Sequence, residues 1–119
     1  MPVSFEDVRR VATTLPRTTE GVVRGRPKFY VGRIVYIAWE REGVIGFAHP
    51  REWREAAVAS EPGKFLMPTG GDLRYNWLLV RLDAIDAEEM RDLVLDAWSM
   101  VVPRRVIDDY LAGRGSGAS

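Results

Sequence analysis

The 119 residues contain no cysteine. That excludes a disulfide scaffold, a thiolate zinc site and a cysteine nucleophile, and it fits a reducing cytosol. Histidine occurs once, at His49, so a Ser-His-Asp or His-rich metal constellation has little to draw on. No apolar run approaches the ~18 residues that a membrane-spanning helix needs. The opening MPVSFEDVRR has no apolar core, so no secretory leader is expected. Net charge is also lacking, with 17 Lys and Arg against 17 Asp and Glu. Neither a G-x-x-x-x-G-K-[ST] nor a G-x-G-x-x-G phosphate loop is present, nor a G-x-S-x-G elbow.

What the chain does have is one organising stretch, Arg24 to Phe47, which reads as three consecutive antiparallel strands. Gly32-Arg33 predicts a two-residue turn with glycine first, and Glu40 to Gly43 predicts a four-residue turn. With those turns, Phe29, Val31, Ile34, Tyr36, Ala38, Ile45 and Phe47 fall on one face. Lys28, Tyr30, Val35, Ile37, Trp39 and Val44 fall on the other. The first set carries no formal charge and is the expected core face, although a one-residue register change would exchange the two.

Helices and further strands surround this stretch. Ser4 and Asp7 have capping-box spacing ahead of a helix to about Thr14, with Phe5, Val8, Ala12 and Leu15 as its apolar stripe. Thr18 to Arg24 predicts a strand, with a bend between Gly25 and Pro27 placed at a strand start or sheet edge. Arg51 to Ser60 predicts a short helix with Trp53, Ala56 and Ala57 on one side. Lys64 to Met67 and Trp77 to Leu82 predict strands around a glycine-containing loop. Asp86 caps a helix whose Met90, Leu93, Val94, Ala97, Trp98, Val101 and Val102 share one face. After Pro103 a last helix carries Val106, Ile107, Tyr110 and Leu111. Residues 113–119, GRGSGAS, read as a flexible tail behind a single domain over residues 1–112. Turn-connected strands flanked by N- and C-terminal helices predict an α+β two-layer sandwich: an antiparallel sheet covered by those helices.

Several short motifs recur in an order that resembles the MmcQ/YjbR-like family. They are Gly25-x-Pro27-x-Phe29-x-Val31-Gly32, the late strand Asn76-Trp77-Leu78-Leu79-Val80-Arg81-Leu82, and the following Trp98, Val101, Pro103 and Arg104-Arg105. The resemblance spans Phe5 to about Arg105. It implies a small bacterial cytoplasmic protein with a frataxin-like α/β sandwich and DNA binding through a double-wing motif. Where the family commonly has glycine before the tryptophan, this chain has Asn76, which tolerates a left-handed turn better than most residues.

The charge is unevenly spread. Arg17, Arg24, Arg26, Lys28 and Arg33 face only Glu20 in their stretch, whereas Asp83 to Asp96 holds six acids against Arg91. Arg24, Arg26, Lys28 and Arg33 around Tyr30, with Lys64, Arg74, Tyr75 and Trp77 as a second group, form a candidate nucleic-acid-binding ribbon. Cations hold phosphates, and aromatic faces stack on unpaired bases. A solvated, charge-protected sheet edge would give the same pattern. The expected function is thus a non-enzymatic binding protein with nucleic acid as its ligand. The alternative is a protein-interaction or small-ligand-binding adaptor, for which four tryptophans supply the aromatic surface. Expected partners are weakly held nucleic acid, a protein, or a second copy in a weak homodimer. No membrane, cofactor, catalytic residue or metal is expected. His49 reads as structural, and Glu88, Glu89, Asp92 and Asp96 as a solvated helix face rather than a cation site.

Overall fold

The computed structural model describes residues 3–117. Its elements in chain order are α1 (Phe5–Ala12), β1 (Thr18–Val23), β2 (Arg26–Val31), β3 (Ile34–Arg41), β4 (Val44–Ala48), α2 (Arg51–Ser60), β5 (Phe65–Leu66), β6 (Trp77–Arg81), α3 (Ala87–Ser99) and α4 (Arg104–Gly117). All strand pairs are antiparallel, in the order β1-β2-β3-β4-β6-β5, so the last strand enters between two earlier ones. The architecture is the expected α+β sandwich.

Local chemistry explains the element ends. The Ser4 hydroxyl accepts from the Asp7 N–H while the Asp7 carboxylate accepts from the Ser4 N–H, a complete capping box. The Ser4 N–H and the Ser4 hydroxyl, both donating to that carboxylate, hold the Asp7 carboxyl below its usual range, the backbone bond most strongly. Asp86 caps α3 by accepting from the Glu89 N–H at 2.8 Å. Gly32 has φ +61 and Arg33 does not lie at positive φ, as a glycine-first hairpin turn requires. The second turn is tighter than the four residues expected. β3 runs on to Arg41, an irregularity between Trp39 and Arg41 absorbs Glu40, and Glu42-Gly43 make the connection. α4 continues to Gly117 and so overlaps the stretch read as a tail from Gly113, while residues 118 and 119 lie outside those described.

The register assigns the two sheet faces. Phe29, Ile37, Phe47 and Leu78 stand opposite one another across four strands, and all are buried. Phe29, Ile37 and Phe47, together with Ile45 and Val80, meet Val8 and Ala12 of α1, Met90, Val94, Ala97 and Trp98 of α3, and Val106 of α4. The indole of Trp98 donates to the Pro16 carbonyl at 2.9 Å and so fastens α3 to the segment after α1. One register assumption fails. Phe29 pairs with Ile37 and Tyr30 with Val35, which leaves Tyr36 as an extra residue on β3. This bulge buries Tyr36 and Ile37 side by side. Ile37 therefore belongs to the core, whereas Ile34 is exposed and Ala38 turns to the opposite face, against the expected set. The Tyr36 phenol meets the Thr18 hydroxyl at 2.6 Å.

Candidate nucleic-acid interface

The face away from the helices is floored by small residues. Lys28 stands opposite Ala38, and Ala38 opposite Gly46, with Ala48 two residues along β4. Because these side chains are short, larger neighbours rise around them and leave a groove of about 760 Å³. Arg26, Lys28 and Arg33 line it from β2 and the β2–β3 turn, and Tyr75, Asn76 and Trp77 line it from the entry to β6. Trp39 reaches its rim, where the Arg26 guanidinium lies 5.7 Å from the ring centroid, a cation–π distance. Glu40 and Asp72 add two carboxylates, and Ile34, Val35 and Met100 add apolar surface.

The groove's glycine is a requirement of close approach. A Cβ on Gly46 would come within 2.3 Å of the Trp77 indole nitrogen, so the ring lies on the β4 backbone. Tyr30 does the same at Gly21 of β1, where a Cβ would meet its ring at 2.9 Å.

Five of the nine expected site residues, Arg26, Lys28, Arg33, Tyr75 and Trp77, converge on the groove. The other four do not line it. Arg24 sits in the β1–β2 turn at φ 55, paired with Gly25 at φ 79, and its role is at the turn tip. Tyr30 is committed to Gly21. Arg74 is exposed beside the groove with its guanidinium 5.3 Å from the Tyr75 ring. Lys64 is drawn away: its ammonium bonds Glu61 at 3.1 Å and Glu89 of α3, and these hydrogen bonds, Glu89 first, raise its pKa.

Trp39 and Asn76 line the groove outside the expected set, and Arg54, which does not line it, bonds the carbonyls of its Tyr75 and Trp77. Trp39, expected on the Lys28 face, pairs with Ile45 after the bulge and packs partly against the core, and its ring still borders the groove beside Arg26. Asn76 is not at positive φ, so the left-handed turn expected there is not what it serves. Its side-chain oxygen accepts from the Arg51 N–H at 3.1 Å, and its own carbonyl accepts from the His49 N–H at 3.1 Å. Arg54 is the buried residue of α2, whereas Trp53 is 64% exposed. An arginine inside a short helix gives no sequence signal that it turns inward.

His49 is half-buried and its Nε2 has no protein partner. Burial first, then the nearby Arg54 charge, hold its pKa below the usual value, against the opposing pull of Asp96. Burial and Asp92 in turn raise the Asp96 carboxyl. Among the described residues no three His, Asp or Glu side chains gather in a way that would hold a metal ion. Likewise, no helix among them is long and apolar enough to cross a membrane.

The fold and groove thus define a small α+β sandwich with one sheet face under helices and the other hollowed and lined by cations and aromatics. The chain belongs to the YjbR family, whose model matches residues 13–100. It is 27% identical to uncharacterized protein Rv2570 of Mycobacterium tuberculosis and to uncharacterized protein Mb2600 of Mycobacterium bovis, over 94% of this chain and 98% of each relative. A crystal structure of the Deinococcus radiodurans protein DR2400, a DUF419 domain, superposes with a TM-score of 0.72 at 19% identity. The match covers 85% of this chain and 80% of that one, and so supports the fold.

Proposed function

We propose that this is a non-enzymatic binding protein of the cytoplasm whose groove holds unpaired nucleic acid. The observation that carries the reading is the convergence of Arg26, Lys28 and Arg33 with Tyr75 and Trp77 around one floor of small residues. The cations hold backbone phosphates, and the exposed Tyr75 ring and half-buried Trp77 offer faces for stacking. Base faces are covered in a duplex, so aromatic walls favour single strands. Zero net charge makes the binding weak and local rather than long-ranged.

Three phosphate contacts imply a salt slope of roughly −2 for a single strand, or about a 15-fold loss of affinity from 50 to 200 mM salt. Fluorescence anisotropy with a short labelled oligo-dT and a hairpin duplex reads this directly. The single strand binds more tightly, Arg26→Glu with Lys28→Glu abolishes binding, and Tyr75→Ala weakens it about tenfold. No anisotropy change at low salt removes the reading. The adaptor reading rests on Trp53, which is 64% exposed outside the groove. It takes over if oligonucleotides fail and light scattering detects a dimer that Trp53→Ala dissolves.

A further inference from the structure

We propose that Arg54 is the positioning residue of the groove, the centre of a clasp through which α2 holds residues 73–77 so that Tyr75 and Trp77 face the basic strands. The groove's ligand class rests on the function proposed above, whereas the clasp itself does not. Arg54 is 5% exposed. Its guanidinium donates to the carbonyls of Leu73 at 2.7 Å, Tyr75 at 3.0 Å and Trp77 at 3.0 Å. Tyr75 and Trp77 are alternate residues of extended chain, whose carbonyls point the same way, and Leu73 lies near the end of the short 3-10 helix that runs into it, so one planar fork gathers all three. The intervening carbonyl, that of Asn76, points the other way and accepts from the His49 N–H. The Asn76 side chain accepts from the Arg51 N–H at the start of α2, and the Arg51 side chain donates to the Arg74 carbonyl.

Two features set this clasp apart from ordinary packing. Residues 75 and 76 precede β6, and beyond the His49 N–H on the Asn76 carbonyl and the turn bond from the Tyr75 N–H to the Asp72 carbonyl, their partners come from α2. Among the described residues Arg54 has no carboxylate partner. Its charge is held by carbonyl dipoles and remains uncancelled behind the aromatic wall. An arginine is thus used where a neutral donor would also bond carbonyls, and the site gains positive potential without placing another cation on the surface.

The test labels the full chain with 5-fluorotryptophan and assigns the Trp77 resonance by Trp77→Phe. Spectra of Arg54→Lys, Arg54→Met and Asn76→Ala are taken well below their melting temperatures, alongside oligo-dT affinity. The expected result is a shifted or broadened Trp77 signal, an unmoved Trp98 signal and an affinity loss of about tenfold, with Arg54→Lys less affected than Arg54→Met. A purely structural Arg54 lowers the melting temperature and leaves the Trp77 signal of the folded molecules where it was. Such a result, from any folded variant, overturns the clasp. If both Arg54 variants fail to fold, Asn76→Ala and Arg51→Ala decide by the same criterion. If Trp77 moves but the unmutated protein binds no oligo-dT, the clasp stands and the nucleic-acid reading falls.

Discussion

Gly46→Ala is the substitution that separates the groove's geometry most sharply from ordinary strand chemistry. In a generic strand, replacing glycine with alanine is stabilising by roughly 0.5–1 kcal/mol because it lowers the freedom of the unfolded chain. Here the new methyl would stand 2.3 Å from the Trp77 Nε1 and 2.4 Å from two ring carbons. Ordinary contact begins at 3.4 Å, so the indole must retreat by about 1 Å or swing off the sheet. Uncovering one face of an indole returns ~70 Å² of apolar surface to water, a loss of about 1.8 kcal/mol at 25 cal/mol/Å². Net destabilisation is then about 1 kcal/mol, a melting temperature lower by roughly 4–6 °C. In a Trp77→Ala background the obstruction is gone, and the same change raises stability. The coupling in that double-mutant cycle is about 2 kcal/mol. Calorimetric melting of the four proteins measures it. Equal stabilisation by Gly46→Ala in both backgrounds would refute the placement of the ring on β4.

Two further outcomes follow from the buried polar groups. Burial pushes the Tyr36 phenol up to about 12, with the Thr18 hydrogen bond opposing. Its folded pKa exceeds the unfolded value, so its contribution is whole below pH 10 and is lost as pH rises toward 12, by about 2–3 kcal/mol. Tyr36→Phe is less stable than the parent at pH 7 and overtakes it as pH rises from about 10 toward 12, and parallel melting curves that keep the same gap across that range would refute this. Trp98→Phe leaves the Pro16 carbonyl without its indole donor and a void in the core, for a loss of about 2–4 kcal/mol in urea unfolding.

The parts of the fold that were legible in sequence are those fixed by local chemistry. Ser4 with Asp7, Asp86 with Glu89, Gly32 in its turn and the 3.6-residue stripe of α3 each depend on neighbours a few positions away. The sheet faces were legible only up to the first bulge. Strand alternation has no memory of an extra residue, so Tyr36 shifted Ile37 and Ala38 onto faces opposite to those expected. The same limit explains the site. Arg26, Lys28 and Arg33 lie close in sequence, and their clustering was visible. Lys64 looked equivalent by composition, but its destination was decided by Glu89, twenty-five positions away. Arg54 was invisible because its acceptors are backbone carbonyls, which every residue carries.

The position of β6 between β4 and β5 has a kinetic consequence. The meander from β1 to β4 closes through two-residue turns, whereas β6 meets β4 only after a loop of roughly 30 residues has closed. That closure costs about 2 kcal/mol more in chain entropy than a hairpin. Long-range pairing of this kind forms late and opens early. The basic wall of the groove therefore belongs to the first part of the sheet to fold, and the aromatic wall to the last. Native-state hydrogen exchange, faster at Val80, whose amide faces β4, than at Phe29, would register the two halves separating before the domain unfolds.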